Sequence, residues 1–236
     1  MTQNTKPVFL LAGGRHSRGK KPDPLLQAVF YEYGIKSPTV AYSGTASGDD
    51  RSFFNFIAAS FVEAGAAKVV HALIAPEGAD IKKAKSILES ADIVFISGGD
   101  VEAGIEVLRE KNMIDFLTGL YRQGKPFFGI SAGAIMLADR WIRWPDPDDD
   151  DSAELFPCLG FAPIICDTHN EQGGWEELQA ALMLEKEGVK GYGLASGSAV
   201  RVTSDGIVEG VGGTVYQYAR RGDKVVRIDD ILPVSR

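Results

Sequence analysis

The sequence predicts a doubly wound α/β fold: a mostly parallel sheet with helices on both faces, and antiparallel strands added toward its C-terminal end. Three observations predict it. Short, wholly apolar runs such as Val8–Ala12 and Ile93–Ile96 recur with amphipathic stretches between them, as strands buried on both faces and their covering helices require. Those runs end in Gly or Ser, at Gly13-Gly14, Ser43-Gly44, Ser97-Gly98-Gly99 and Gly129, where a strand must turn sharply into a helix. From Ser198 onward the apolar period shortens to two, with Asp205-Gly206 and Gly222-Asp223 as hairpin turns.

Taken in order, strands are predicted at Val8–Ala12, Thr39–Tyr42, Lys68–Ala72, Ile93–Ile96 and Pro126–Ile130. Helices are predicted near Leu25–Tyr33, Arg51–Ala64, Ile81–Glu89, Val101–Leu108 and Ile114–Gln123, with a helical run Ala132–Ala138 after the fifth strand. From Asp146 to Glu154 the chain turns acidic, and Pro145 and Pro147 interrupt it. Adjacent like charges repel and proline punctuates, so this stretch reads as a loop without helix or strand. It lacks the ligand spacing and terminal Glu of an EF-hand loop, which sets a calcium site aside. Trp141 and Trp144 precede it, and a surface excursion is the ordinary reading, a lid over the crevice the sharper one. Beyond it, Ala162–Ile165 reads as a strand and Trp175–Glu185 as a helix. Ser198–Thr203, Ile207–Val211, Thr214–Ala219 and Lys224–Ile228 read as antiparallel strands that close the sheet. With no repeat and no linker, residues 1–236 are expected to form a single domain.

Composition excludes several function classes. The formal net charge is −7, and the one basic cluster (Arg15, Arg18, Lys20, Lys21) reads as a solvated loop, so no nucleic acid is expected as a partner. No run approaches bilayer length, and Val8–Ala12 lacks a basic leader, so neither membrane nor export is expected. Two cysteines, Cys158 and Cys166, cannot build a disulfide framework, and a reducing, cytoplasmic compartment is the natural expectation. The run Gly14-Arg15-His16-Ser17-Arg18-Gly19-Lys20-Lys21 nearly spells a phosphate-binding loop. However, Lys21 stands where a metal-binding hydroxyl is required, and Pro22 and Pro24 follow. No cofactor and no metal is expected.

The chemistry centres on Gly129-Ile130-Ser131-Ala132-Gly133, which matches the nucleophile elbow. A nucleophile on so sharp a strand-to-helix turn stands clear of its neighbours, and the crowded backbone demands small flanking residues. The next backbone N–H, that of Ala132, then points at a developing oxyanion. Gly98 or Gly99, ending the preceding strand, can supply a second oxyanion donor, with Asp100 as the following helix's N-cap. A nucleophilic serine needs a base, and the chain offers three histidines. His71 falls inside a predicted strand and reads as a satisfied core residue, and His16 sits in the basic loop. His169, after a strand and before a Gly-rich turn, is the best base. Candidates to orient it include Glu171 and Asp167 nearby, with Glu154, Glu176 and Glu177 farther off.

With the elbow and its Ala134 extension, the Ser97–Asp100 turn and the later His169, the chain resembles the serine peptidases that include aspartyl dipeptidase (peptidase E) and cyanophycinase. These share the class I glutamine amidotransferase-like (flavodoxin-like) fold. Looser matches at Ala12-Gly13-Gly14, Thr45-Ala46-Ser47 and Gly193–Val200 spread the resemblance over most of the chain. It implies Ser131 as nucleophile, His169 as base, and oxyanion donors on the backbone of Ala132 and of Gly98 or Gly99. Two departures stand out. Gly193-Leu194-Ala195-Ser196-Gly197 places Ser196 where the family carries its glutamate, and His169-Asn170-Glu171-Gln172-Gly173-Gly174 lacks the arginines that suit an acidic substrate. Glu171 has the His-x-Glu spacing of class I amidotransferases and is the replacement candidate.

The expected function is therefore a serine hydrolase, a peptidase cleaving small peptides through an acyl-enzyme on Ser131. Its partner is a small peptide or amide substrate, and a homodimer is admissible. The alternative is a catalytically weak or inactive ligand-binding or regulatory protein on the same scaffold. A glutamine amidotransferase proper would carry cysteine at the elbow, and neither Cys158 nor Cys166 sits on such a turn.

Overall fold

In the computed structural model, which describes residues 5–13 and 22–234, the near phosphate-binding run and the basic cluster lie outside the described residues. The first part of the chain runs β1 (Val8–Leu11), α1 (Pro24–Glu32), β2 (Thr39–Ser43), α2 (Arg51–Glu63), β3 (Lys68–His71), α3 (Ile81–Ser90), β4 (Ile93–Ile96), α4 (Val101–Glu110), α5 (Ile114–Arg122), β5 (Phe127–Ile130) and α6 (Ala132–Leu137). The second runs β6 (Arg140–Arg143), β7 (Glu154–Pro157), β8 (Ile165–Thr168), α7 (Glu176–Met183), β9 (Lys190–Leu194), β10 (Ala199–Val202), β11 (Val208–Val211), β12 (Val215–Arg221) and β13 (Lys224–Arg227).

Among the described residues, the main sheet has seven strands in the order β11-β10-β1-β5-β4-β2-β3. The five from β1 to β3 in that order are parallel, while β10 runs antiparallel to β1 with Val8 opposite Val202. Successive side chains of a strand point to opposite faces, and both faces here are dry. Val8 and Leu10 of β1 join Val94 and Ile96 of β4 beneath α3, α4, α5 and α6. Phe9 and Leu11 join Phe95 and Phe128 against α1 and α2 on the other face. That is why these strands read as continuous apolar runs. Parallel strands share one carboxyl edge, so the turns after β5, β4 and β2 open onto one crevice.

The C-terminal strands depart from the expectation that all of them close one sheet. β10 and β11 do extend the main sheet, but β12 and β13 pair with β9 and β8 in a second sheet ordered β13-β12-β9-β8. The strand expected at Ala162–Ile165 begins only at Ile165. Pro163 cannot donate to a ladder, and Phe161 and Ala162 give their N–H groups to the carbonyl of Leu137 at the end of α6. The acidic stretch is not wholly a loop. It crosses a 3-10 turn at Asp150–Ser152, and Glu154 opens β7, which pairs antiparallel with β6. Like-charge repulsion was the wrong guide for Glu154, because Arg143 sits opposite and binds its carboxylate at 2.6 Å.

Candidate active site

Ser131 follows the last residue of β5 with φ 56° and ψ −128°, a left-handed conformation that a non-glycine residue adopts only when its surroundings impose it. Its N–H donates to the carbonyl of Leu11 on the neighbouring β1 (2.9 Å), which fixes the turn to the sheet. The flanking glycines make the turn possible. A Cβ on Gly129 would lie 2.3 Å from the Gly133 carbonyl oxygen, and one on Gly133 would lie 2.1 Å from that of Ile96. The hydroxyl is left facing out, and it lies 2.7 Å from Nε2 of His169.

His169 arrives from the other sheet. It leaves the end of β8 with φ 46°, and its N–H donates to the carbonyl of Leu194 on β9 at 2.8 Å. Base and nucleophile therefore sit at the carboxyl ends of strands in two different sheets. Among the described residues, no hydrogen bond reaches the other ring nitrogen, Nδ1. Two carboxylates, Asp167 and Glu171, lie close enough to feel a charge on the ring. Glu171 is anchored on Ser196, whose N–H it accepts at 3.3 Å. Burial pushes its carboxyl up, but hydrogen bonds from its own backbone and from Ser196, together with His169, hold it below the ordinary glutamate value. Asp167 is 4% exposed; burial pushes it up to about 6, although the Thr168 N–H (2.6 Å) and the Asn170 amide (3.2 Å) bind it.

The glycine turn after β4 sits against Ser131. A Cβ on Gly98 would be 3.1 Å from the serine Cβ, and Gly99, with φ 144°, packs so tightly on the Ala46 carbonyl that a side chain would overlap it. Ala132 opens α6, and the first N–H groups of any helix lack intrahelical partners. Asp100 is turned to other work: it caps α4 by accepting the Ala103 N–H (2.8 Å), and its own N–H is held by Ala46.

Together these residues border a cleft of about 290 Å³ that holds Ser131, His169, Gly99 and Ala132. Asp100 and Glu171 are not on its wall. Residues that the sequence left unassigned or only distant are there, Trp141 on β6, Ile135 on α6, Val101 on α4 and Glu177 on α7, together with Asp167, a local candidate in the sequence. Trp141 follows the elbow helix so closely that proximity was a usable signal. Glu177 gave none, since its position depends on how α7 lies.

The remaining candidates stay apart from the cleft. His71 binds Asp49 at 3.0 Å and stacks on Phe54, as expected of a satisfied core histidine. Cys166 is fully buried, and burial pushes the thiol of Cys158 up to about 12, with the field of Asp139 adding to it. Among the described residues no three His, Cys, Asp or Glu side chains cluster to hold a metal ion, and no helix is long and apolar enough to cross a membrane.

Known proteins share this architecture. The solved structure of a peptidase from an acI-B1 Actinobacterium superposes with a TM-score of 0.66 at 14% identity, covering 97% of each chain. In sequence, the chain is 29% identical to Peptidase E of Haemophilus influenzae (strain Rd) over 129 residues, which span 51% of this chain and 59% of that protein. It is 21% identical to the uncharacterized peptidase YgaJ of Bacillus subtilis (strain 168) over 94% of this chain and 92% of the other. The family model of Peptidase family S51 matches residues 8–210. With the greater part of its length matched, the chain belongs to Peptidase family S51.

Proposed function

We propose that this protein is a serine peptidase that cleaves small peptides through an acyl-enzyme on Ser131. One observation carries the reading: the Ser131 hydroxyl lies 2.7 Å from Nε2 of His169 on a backbone turn that is strained to present it. His169 takes the proton as Oγ attacks the scissile carbonyl, and then delivers it to the leaving amine. The backbone N–H of Ala132 and those of the Gly98-Gly99 turn face the oxyanion. Water repeats the sequence on the acyl-enzyme and releases the second product.

Glu171 serves as the acid. Ser196 stands where relatives place a glutamate, and here it holds the carboxylate of Glu171 instead. The carboxylate thus moves from the loop after β9 to the loop after β8. It acts on the imidazolium through its field, without the direct hydrogen bond of a complete triad, so its removal costs less than removal of Ser131 or His169. The two free cysteines suit a reducing compartment, and residues 1–236 are proposed to work as one domain.

Cleavage of a dipeptide library followed by mass spectrometry tests this. Ser131→Ala and His169→Ala should each lower kcat by at least ~10³-fold on any peptide the wild type cleaves, and Glu171→Gln by about 10–100-fold. Turnover that survives Ser131→Ala would overturn the assignment and favour a binding protein on this scaffold.

A further inference from the structure

We propose that Glu177 and Asp167 make the cleft selective for substrates carrying a cationic group beside the scissile bond, either the α-ammonium or a basic side chain. The proposal rests on the reading that Ser131 is the nucleophile. Both carboxylates line the same cleft as Ser131 and His169, and the other walls near them, Val101, Ile135 and Trp141, are neutral.

Apart from His169, whose charge acts on Asp167, neither carboxylate has a cation as partner among the described residues. The two arginines of β6, the strand that carries Trp141, are committed elsewhere. Arg140 binds Asp139 and Glu185, and Arg143 binds Glu102 and Glu154. Asp167 has two neutral donors, from Thr168 and Asn170, while Glu177 has neither a hydrogen-bond donor nor a cation as partner among the described residues.

Glu177 also acts on Asp167. Burial raises both carboxyls, and the negative field of Glu177 adds to the rise at Asp167. Glu177 has only solvent against its charge, and an ammonium or guanidinium that replaces that water can donate several charge-assisted hydrogen bonds at once. An acidic group would meet two like charges instead. The residue that sets the preference is Glu177, because Asp167 is also held by local backbone and by Asn170. Glu177 lies on the solvent side of α7, so its exchange leaves the core untouched.

The experiment measures protection from a fluorophosphonate. The labelling rate of Ser131 is followed by intact mass in the presence of lysyl-alanine, norleucyl-alanine, acetyl-norleucyl-alanine or glutamyl-alanine. Wild type, Glu177→Gln and Glu177→Lys are compared. For the wild type, lysyl-alanine should protect at concentrations at least ~10-fold lower than norleucyl-alanine if the side chain is read. If the α-ammonium is read, norleucyl-alanine should exceed its acetylated form by a similar factor. Glu177→Gln should erase that preference, read as the ratio of protecting concentrations within each protein, and Glu177→Lys should shift protection toward glutamyl-alanine. Equal protection by all four peptides, or a cationic preference that survives Glu177→Gln, overturns the proposal while the nucleophile stands. No labelling of wild type without peptide removes the nucleophile reading, and the proposal falls with it.

Discussion

Gly133 has no room for a methyl group, since a Cβ would sit 2.1 Å from the Ile96 carbonyl oxygen and 2.6 Å from that of Ser97. Neither atom can yield, because both belong to backbone at the end of β4. Gly133→Ala should therefore destabilise the protein by about 3 kcal/mol, the upper part of the range for overpacking a closed site, and should slow any chemistry at Ser131. Urea unfolding checks the first part, and a change below ~0.5 kcal/mol would contradict it. Asp167 makes a second prediction at this scale. Its carboxyl is buried and raised to about 6, so the folded state holds the proton more tightly than the unfolded chain. That contribution is complete below the ordinary aspartate value near 4 and is lost as pH rises through about 6, an effect on the order of 3 kcal/mol. Asp167→Asn should flatten the decline in unfolding free energy between pH 4 and 7, and an unchanged slope would contradict the assignment. The elbow was legible because its demand for small residues is local in sequence, as was His169 on its loop. The cleft position of Glu177 was not, since helical periodicity places it on the outer face of α7 but not beside the loop after β8.

The turn after β2 is the element that braces the glycine turn beside Ser131. Its 3-10 turn Thr45–Ser47 presents the Ala46 carbonyl, which accepts the Asp100 N–H at 2.8 Å and packs on Gly99. Asp49 ties this element down. One oxygen accepts from Gly44 N–H and His71, the other from the N–H groups of Ile74 and Ala75 at 2.7 Å each. A second tie runs from the Tyr42 hydroxyl to Ser97 Oγ (2.8 Å). Burial alone would raise the Asp49 carboxyl, but His71 and the three N–H groups outweigh it and hold it below the ordinary value. Its stabilisation is thus present above the unfolded value near 4 and fades as pH falls through the lower folded one. Asp49→Ala leaves these buried donors unmatched, and should reduce stability at pH 7 by about 2–4 kcal/mol and kcat by roughly tenfold with a smaller change in KM. Unaltered kcat would separate this turn from the site. Elements buried on both faces were easy to read in the sequence. The β6–β7 hairpin was not, because its second strand opens on a glutamate whose partner lies across the acidic loop. β9 was missed too, since Gly191 and Gly193 weaken its strand signal; their small size admits Leu178, Leu182 and Trp175 against the sheet.

At the scale of the whole molecule, the main sheet carries Ser131 and the second sheet carries His169, so the candidate site exists only where the two meet. α6 joins them, in contact with β5 and β1 on one side and β8 on the other. The period-two pattern of the tail revealed antiparallel strands but could not assign them to a sheet, because partner choice is a long-range matter. We propose that this junction is what activates Ser131. The most direct measurement is intact-mass labelling by a small fluorophosphonate in wild type, Ser131→Ala and His169→Ala. One adduct is expected on wild type, none on Ser131→Ala, and a rate lowered by at least ~100-fold on His169→Ala. An adduct that persists on Ser131→Ala, or a wild-type serine no more reactive than in the His169→Ala protein, would contradict it.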